Sequence, residues 1–201
     1  MTRLNIQSSD LTGKLLIAMP SMGDPRFAAS VIYILAHNED GTMGLVVNKP
    51  LSEVSFSDIL GQLNISCANP VDDMGIFYGG PVEPGRGFVL HSGEYRRLQG
   101  AADRDKGGGS IEVNEQFSMT STVDVLEDIA LGTGPKQALV MLGYSGWGAG
   151  QLEAELAQNA WLTCDATPEL VFGTAQEAKW QAAVESLGID PRMLSATGGR
   201  A

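Results

Sequence analysis

Ser145 is the residue whose neighbours best fit nucleophilic chemistry. It stands in Gly143-Tyr144-Ser145-Gly146-Trp147, directly after the apolar run Gln137 to Leu142. This nearly repeats the G-x-S-x-G elbow that exposes a serine hydroxyl between a strand and a helix. Trp147 replaces the last glycine, and a bulky side chain there crowds the sharp turn. The hydrolase order also requires an acid and a histidine downstream of the serine, whereas His37 and His91 both lie upstream. That order argues against a catalytic triad.

The same run admits a second chemistry. Gly143, Gly146, Gly148 and Gly150 free the backbone, and a helical pattern from Gln151 to Asn159 follows. A glycine-rich turn entering a helix suits a small anion or a close-approaching ligand. The spacing Gly146-x-Gly148-x-Gly150 is not the dinucleotide fingerprint, and no G-x-x-x-x-G-K-[ST] occurs. A corner that packs Trp147 is the favoured reading, and nucleotide binding is not specified.

Metal and redox chemistry find little. Cys67 and Cys164 are far apart with no zinc spacing, and they read as two buried free thiols. His37 follows a strand pattern and His91 ends one, positions where imidazoles usually bond backbone or water. Asp24 precedes Pro25 and shapes a turn in which Arg26 can pair with it. No metal or other cofactor is assigned, and no residue is assigned a catalytic role.

Charge narrows the partners. The net charge of -11 opposes a phosphate backbone, and the basic residues between Arg86 and Lys106 alternate with Glu94, Asp103 and Asp105. The helical patterns Val123 to Leu131 and Gln151 to Asn159 are separated by a strand and carry acids outward. A recognition helix needs Arg, Lys, Asn or Gln toward bases, so direct nucleic-acid binding is not expected. No apolar run approaches a membrane span, and Leu15 to Met19 is too short for a signal core. The chain is read as a cytoplasmic protein with no membrane partner.

The positioning elements follow from pattern. Lys14 to Met19 predicts a buried strand stopped by Pro20. Ser30 to Ala36 and Met43 to Val47 predict a hairpin around Asp40-Gly41, because glycine takes the left-handed turn position at little cost. Asn48-Lys49-Pro50 ends the second strand. Ser55 and Asp58 form a capping box for a helix in which Phe56, Ile59, Leu60 and Leu63 recur at helical spacing. Short strands follow at Ile76 to Tyr78, Gly87 to His91 and within Ile111 to Thr120. A helix from Val123 to Leu131 is capped by Ser121 or Thr122, and Gln137 to Leu142 and Trp161 to Cys164 read as strands. Thr174 and Glu177 form a second capping box, opening a helix that runs through Leu187. Strands and helices mix without strict alternation, which defines an α+β chain with an antiparallel hairpin. The 201 residues form one domain, with 1–10 and 195–201 loose and 98–110 a mobile loop.

Several motifs carry a family resemblance. Leu11-Thr12-Gly13-Lys14-Leu15-Leu16-Ile17-Ala18-Met19-Pro20, Asp24-Pro25-x-Phe27 and Gly44-Leu45-Val46-Val47-Asn48-Lys49-Pro50 occur in order. Tyr78-Gly79-Gly80-Pro81-Val82 and Gly143-Tyr144-x-x-Trp147-x-x-Gly150-Gln151-Leu152-Glu153 follow. Together they resemble the AlgH/YqgE family of bacterial proteins, from about Leu11 to Pro191. The resemblance implies a mixed, largely antiparallel sheet with a small closed β-barrel surrounded by about four helices. The family name carries a link to transcriptional regulation of alginate production, with no established catalytic residues to transfer.

The resulting expectation is a non-enzymatic binding module, with any regulatory action indirect. Its surface would comprise Asp24, Arg26, Phe27, His37, Asn48, Gly79, Gly80, Ser145, Trp147, Gly148 and Gln151. Its partner would be a protein or a small anionic ligand. The alternative is a ligand-binding enzyme, such as a hydrolase, acting at a Gly143 to Gly150 loop.

Overall fold

The computed structural model describes residues 10–67, 74–95 and 109–194. Ten strands appear, β1 (Lys14–Ala18), β2 (Val31–Asn38), β3 (Gly41–Val46), β4 (Pro50–Ser55), β5 (Gly75–Tyr78), β6 (Val82–Ser92), β7 (Ser110–Glu112), β8 (Phe117–Thr120), β9 (Ala138–Gly148) and β10 (Trp161–Asp165). Four α-helices accompany them, α1 (Phe56–Gln62), α2 (Asp124–Leu131), α3 (Gln151–Ala157) and α4 (Gln176–Glu185). The sheet runs β10-β1-β2-β3-β9-β6-β8-β7, with β5 on β9 and β4 on β5. The β5–β9 pair is parallel, and the other ladders are antiparallel.

Strand alternation sorts the apolar residues into three layers. Leu15, Ile17, Val31, Tyr33, Leu45, Phe88, Leu90, Phe117 and Met141 point inward as one core. Their strand neighbours Leu16, Ala18, Ile32, Ile34 and Val46 point outward beneath α3. Val89, Val140 and Ile76 point outward beneath α1 and α2. The curled sheet is a half-barrel. Among the described residues no ladder joins β10 to β7; Leu170 and Val171 of a π-helical turn (Glu169–Gly173) and Ala183 and Val184 of α4 fill the inner core instead. The closed strand barrel implied by the resemblance is therefore closed by helical cover.

β9 departs most from the sequence reading. The glycine-rich run is a strand, so the loop expected over Gly143 to Gly150 is corrected. Before Gly143, Val140 and Leu142 belong to the layer under α1 and α2; after it, Trp147 belongs to the layer under α3. Met141 and Tyr144 both pack toward the inner core, so the two-residue alternation slips by one at Gly143. Gly143 has φ +72°, the left-handed geometry of a glycine bulge. One strand thereby pairs with β5 and most of β6 before the bend and with β3 after it, Val82 of β6 reaching across to Tyr144.

Other differences are local. Pro50 opens β4 instead of ending β3. Ser55 and Asp58 form the expected box, but α2 follows Val123, which gives it no side-chain cap. Thr174 donates its hydroxyl backward to the Glu169 carbonyl (3.1 Å), and α4 starts after Ala175 uncapped. The two cysteines form no disulfide; Cys164 is buried and Cys67 is exposed. The expected loose ends, apart from Asp10, and the loop over 98–110, apart from Gly109 and Ser110, lie outside the described residues.

Candidate functional site

The Gly150 turn (φ +73°) aims α3 back across the outer face of β3 and β9. Gln151 ties this entry back to the strand, its Oε1 accepting the Gly148 N–H at 3.1 Å. One turn later Glu155 collects three donors. Oε1 accepts from Gln151 Nε2 (3.0 Å), and Oε2 accepts the indole N–H groups of Trp147 (3.0 Å) and Trp161 (2.7 Å). The carboxylate thus satisfies two indoles whose rings are almost fully buried.

Phe27 completes an aromatic trio. Its ring stacks on Trp147 at 6.4 Å and meets Trp161 edge-on at 5.8 Å, while the two indoles are T-shaped at 5.9 Å. Each such pair adds about 0.5–1.5 kcal/mol beyond the area it buries. Phe27 ends a 3₁₀ turn (Pro25–Phe27) whose start is capped by Asp24, which accepts the Arg26 N–H at 3.0 Å. The Arg26 guanidinium closes on the same carboxylate at 2.6 Å and lies 6.0 Å from the Phe27 ring centre. Its hydrogen bonds hold the Asp24 carboxyl below the usual range.

Two residues of the Asn48-Lys49 step anchor this turn. Asn48 Oδ1 accepts from Val31 N and its amide donates to the Ala29 carbonyl, both at 2.8 Å. Ala29 is held at φ +53°, an uncommon geometry for a side chain with a Cβ. Lys49 Nζ donates to the Arg26 carbonyl at 2.7 Å, and burial lowers its pKa. Tyr78 packs against the same outer layer, and burial raises its phenol pKa, with Arg26 opposing that shift.

His37 borders the group. It pairs across β3 with Thr42, which in turn pairs with Trp147. Its Nδ1 is 2.8 Å from Thr42 Oγ1, and its Nε2 is 3.5 Å from Glu153 Oε1 on α3. Asp24, Arg26, Phe27, His37, Asn48, Trp147, Gly148 and Gln151 are thus linked through one outer layer.

Gly79, Gly80 and Ser145 are not on that surface. All three are buried where β5 leaves β9, and the Ser145 hydroxyl donates to the Gly79 carbonyl at 3.2 Å. A side chain on Gly80 would collide with the Tyr144 backbone. The register separates Ser145 from both histidines. Ser145 lies opposite Gly44, two positions from the His37 row, and His91 lies opposite Ala138, seven positions down β9. His91 is fully buried, with Nε2 3.0 Å from Thr120 Oγ1, and burial lowers its pKa. Among the described residues no cluster of three or more His, Cys, Asp or Glu side chains forms a metal site.

The sequence reading missed Glu155, which it treated as a solvated acid, and gave Trp161 no role at the site. The Gln151–Glu155 spacing of four, with a tryptophan on either side of the helix, was the available signal. It also missed Lys179, fully buried on α4, whose Nζ donates to the carbonyls of Val47 (2.9 Å) and Val171 (2.6 Å).

The fold and site define an α+β half-barrel protein with a bent, sheet-switching strand and an aromatic–carboxylate cluster on its outer face. The AlgH-like family model matches residues 15–192, and the chain belongs to that family. UPF0301 proteins of Jannaschia sp. and Paracoccus denitrificans are each 52% identical to it, over 96% and 97% of this chain and 96% and 99% of theirs. The solution structure of the AlgH protein from Pseudomonas aeruginosa is 42% identical, with TM-score 0.74 over 96% of this chain and 97% of that one. A Corynebacterium diphtheriae protein shares the fold at 20% identity, with TM-score 0.63 over 86% and 85% of the two chains. No described helix is long and apolar enough to cross a membrane.

Proposed function

We propose that this protein is a cytoplasmic, non-enzymatic binding module whose recognition face is the outer layer around Arg26, Phe27 and Gln151. One observation carries the reading. Glu155 fixes both indoles internally, while Arg26 stays exposed and Phe27 half-buried at the edge of a rigid aromatic floor. Aromatic and arginine side chains on a preorganised base are what protein interfaces use as anchors. Asp24 holds the guanidinium in place before any partner arrives. The occupant we favour is a protein, because Asp24, Glu153 and Glu155 around the same floor oppose a small anion. A regulatory role of the kind the family resemblance implies would run through that partner, since the net charge of -11 repels nucleic acid.

The enzymatic alternative gains no support, because Ser145, His37 and His91 each spend their polar atoms on separate structural contacts. A photo-cross-linking residue at position 27, compared with one at the exposed Glu185 of α4, tests the reading in cells. A discrete adduct at 27, absent at 185 and lost with Arg26→Glu, is expected. Equal labelling at both positions, or an adduct indifferent to Arg26→Glu, contradicts it.

A further inference from the structure

The outer face on the other half of the sheet carries a gap. α1 and α2 both pack on the β5-β9-β6 surface, and between them lies a cleft of about 330 Å³. Val89, Val140 and Leu142 form its floor; Ile59 of α1 with the following Leu63, and Leu126 of α2 with the preceding Val123, are among its walls. Leu63 and Val123 are 40% and 44% exposed, so its apolar rim opens to solvent. That volume is at the small end of ligand pockets, which run from roughly 300 to 1,000 Å³.

A glycine keeps the cleft open. Gly87 pairs with Leu142 and lies two residues before Val89, so strand alternation turns it toward the same cleft face. A Cβ built on Gly87 meets no atom within 4 Å. Gly87 itself is exposed, so it stands at the open mouth of the cleft, and a larger side chain there would extend across the opening.

The lining also selects charge. Among the described residues no charged side chain lines the cleft, and the polar side chains there are hydroxyls, including Thr122, and the Gln62 amide. Glu53 and Asp58 line the adjoining surface hollow, which shares Val54 and Gln62 with the cleft. An anionic head therefore meets carboxylates at the mouth, and a cationic head drawn inside leaves those carboxylates for a lining that holds none among the described residues. A buried uncharged hydroxyl or amide finds hydrogen-bonding partners at the rim.

We infer that this cleft is a binding site for a small uncharged amphiphile, a compact hydrocarbon or aromatic body carrying one hydroxyl or amide. It is separate from the Arg26–Phe27 face and holds whether or not that face binds a protein.

The test uses the full chain and N-phenyl-naphthylamine, an uncharged fluorophore that brightens in apolar sites. Saturable one-to-one enhancement is expected, displaced by heptanol and by heptanamide but not by heptanoate. Gly87→Leu, which extends across the opening, weakens the probe at least tenfold. Leu63→Glu, at a rim position 40% exposed, does the same. Backbone amide shifts on titration fall at Gly85, Gly87 and Thr122. Absence of saturable enhancement, affinity unchanged in both variants, or shifts confined to the Trp147 face overturns the proposal. So does a wild-type dimer in sedimentation equilibrium that Leu63→Glu dissociates, because a second copy would then be the occupant.

Discussion

Trp147 and Trp161 meet edge-to-face at 5.9 Å and donate their indole N–H groups to the same carboxylate oxygen, Oε2 of Glu155. The two tryptophans sit on β9 and β10, at opposite ends of the β10-β1-β2-β3-β9 segment. A seven-residue helix is too short to persist alone, so α3 depends on this contact and on buried Leu152. The arrangement joins sheet curvature to the surface that Phe27 and Arg26 present.

Removing the shared acceptor should be costly. Glu155→Ala leaves two largely buried indole donors unpaired, and each such group costs about 1–3 kcal/mol. A loss of about 2–4 kcal/mol in urea unfolding is expected, with a shift in tryptophan emission. Glu155→Gln keeps one oxygen for both indoles and should lose only about 1 kcal/mol.

Gly143 should tolerate no side chain. Its φ of +72° and the nearby Gly80 carbonyl oxygen exclude a Cβ, so Gly143→Ala should cost about 3 kcal/mol or more. A glycine in a turn with room for a Cβ would lose far less. Equilibrium denaturation distinguishes the two.

Lys179 gives a pH signature. It is fully buried, with no carboxylate partner among the described residues, and burial pushes its pKa down to about 8 from 10.5. Between those values the unfolded chain binds more protons than the native one, so this group's contribution to stability rises with pH. The penalty of about 3 kcal/mol is fully present below pH 8 and relieved toward pH 10.5. Burial raises Tyr33 and Cys164, which act in the opposite sense at high pH. The difference between wild type and Lys179→Met, followed by denaturation from pH 7.5 to 10, isolates the lysine. The wild type should gain relative to the variant across that range.

Ser145→Ala should behave as the loss of one buried hydrogen bond. The Gly79 carbonyl loses its hydroxyl donor, costing about 1–2 kcal/mol. Binding at the Arg26–Phe27 face, measured on the folded variant, should be unchanged. An esterase-type activity in wild type that this variant abolishes would restore the enzymatic reading.

Local signals were legible where they agreed with the tertiary structure. Asp40-Gly41 marked the β2–β3 hairpin, and Ser55 with Asp58 marked the start of α1. The β9 run was misread because four glycines weaken strand propensity, whereas ladders to β3, β5 and β6 impose extended backbone. Thr174 failed as a cap because the preceding π-helical turn claims its hydroxyl. Half of the site was visible as turn residues around Asp24 and Gln151. Glu155 was not, since an acid on a short helix reads as solvated until two tryptophans from separate strands close over it. Lys179 carried no sequence mark at all, because the carbonyls it serves, Val47 and Val171, belong to other elements.

The recognition face is tested most directly by calorimetric titration of the cross-linked partner, once purified, against wild type, Phe27→Ala and Arg26→Glu. Both variants should weaken binding at least tenfold while α3 and both indole hydrogen bonds remain in the amide and indole proton spectra. Wild-type affinity in both, with the fold intact, would contradict the assignment of this face.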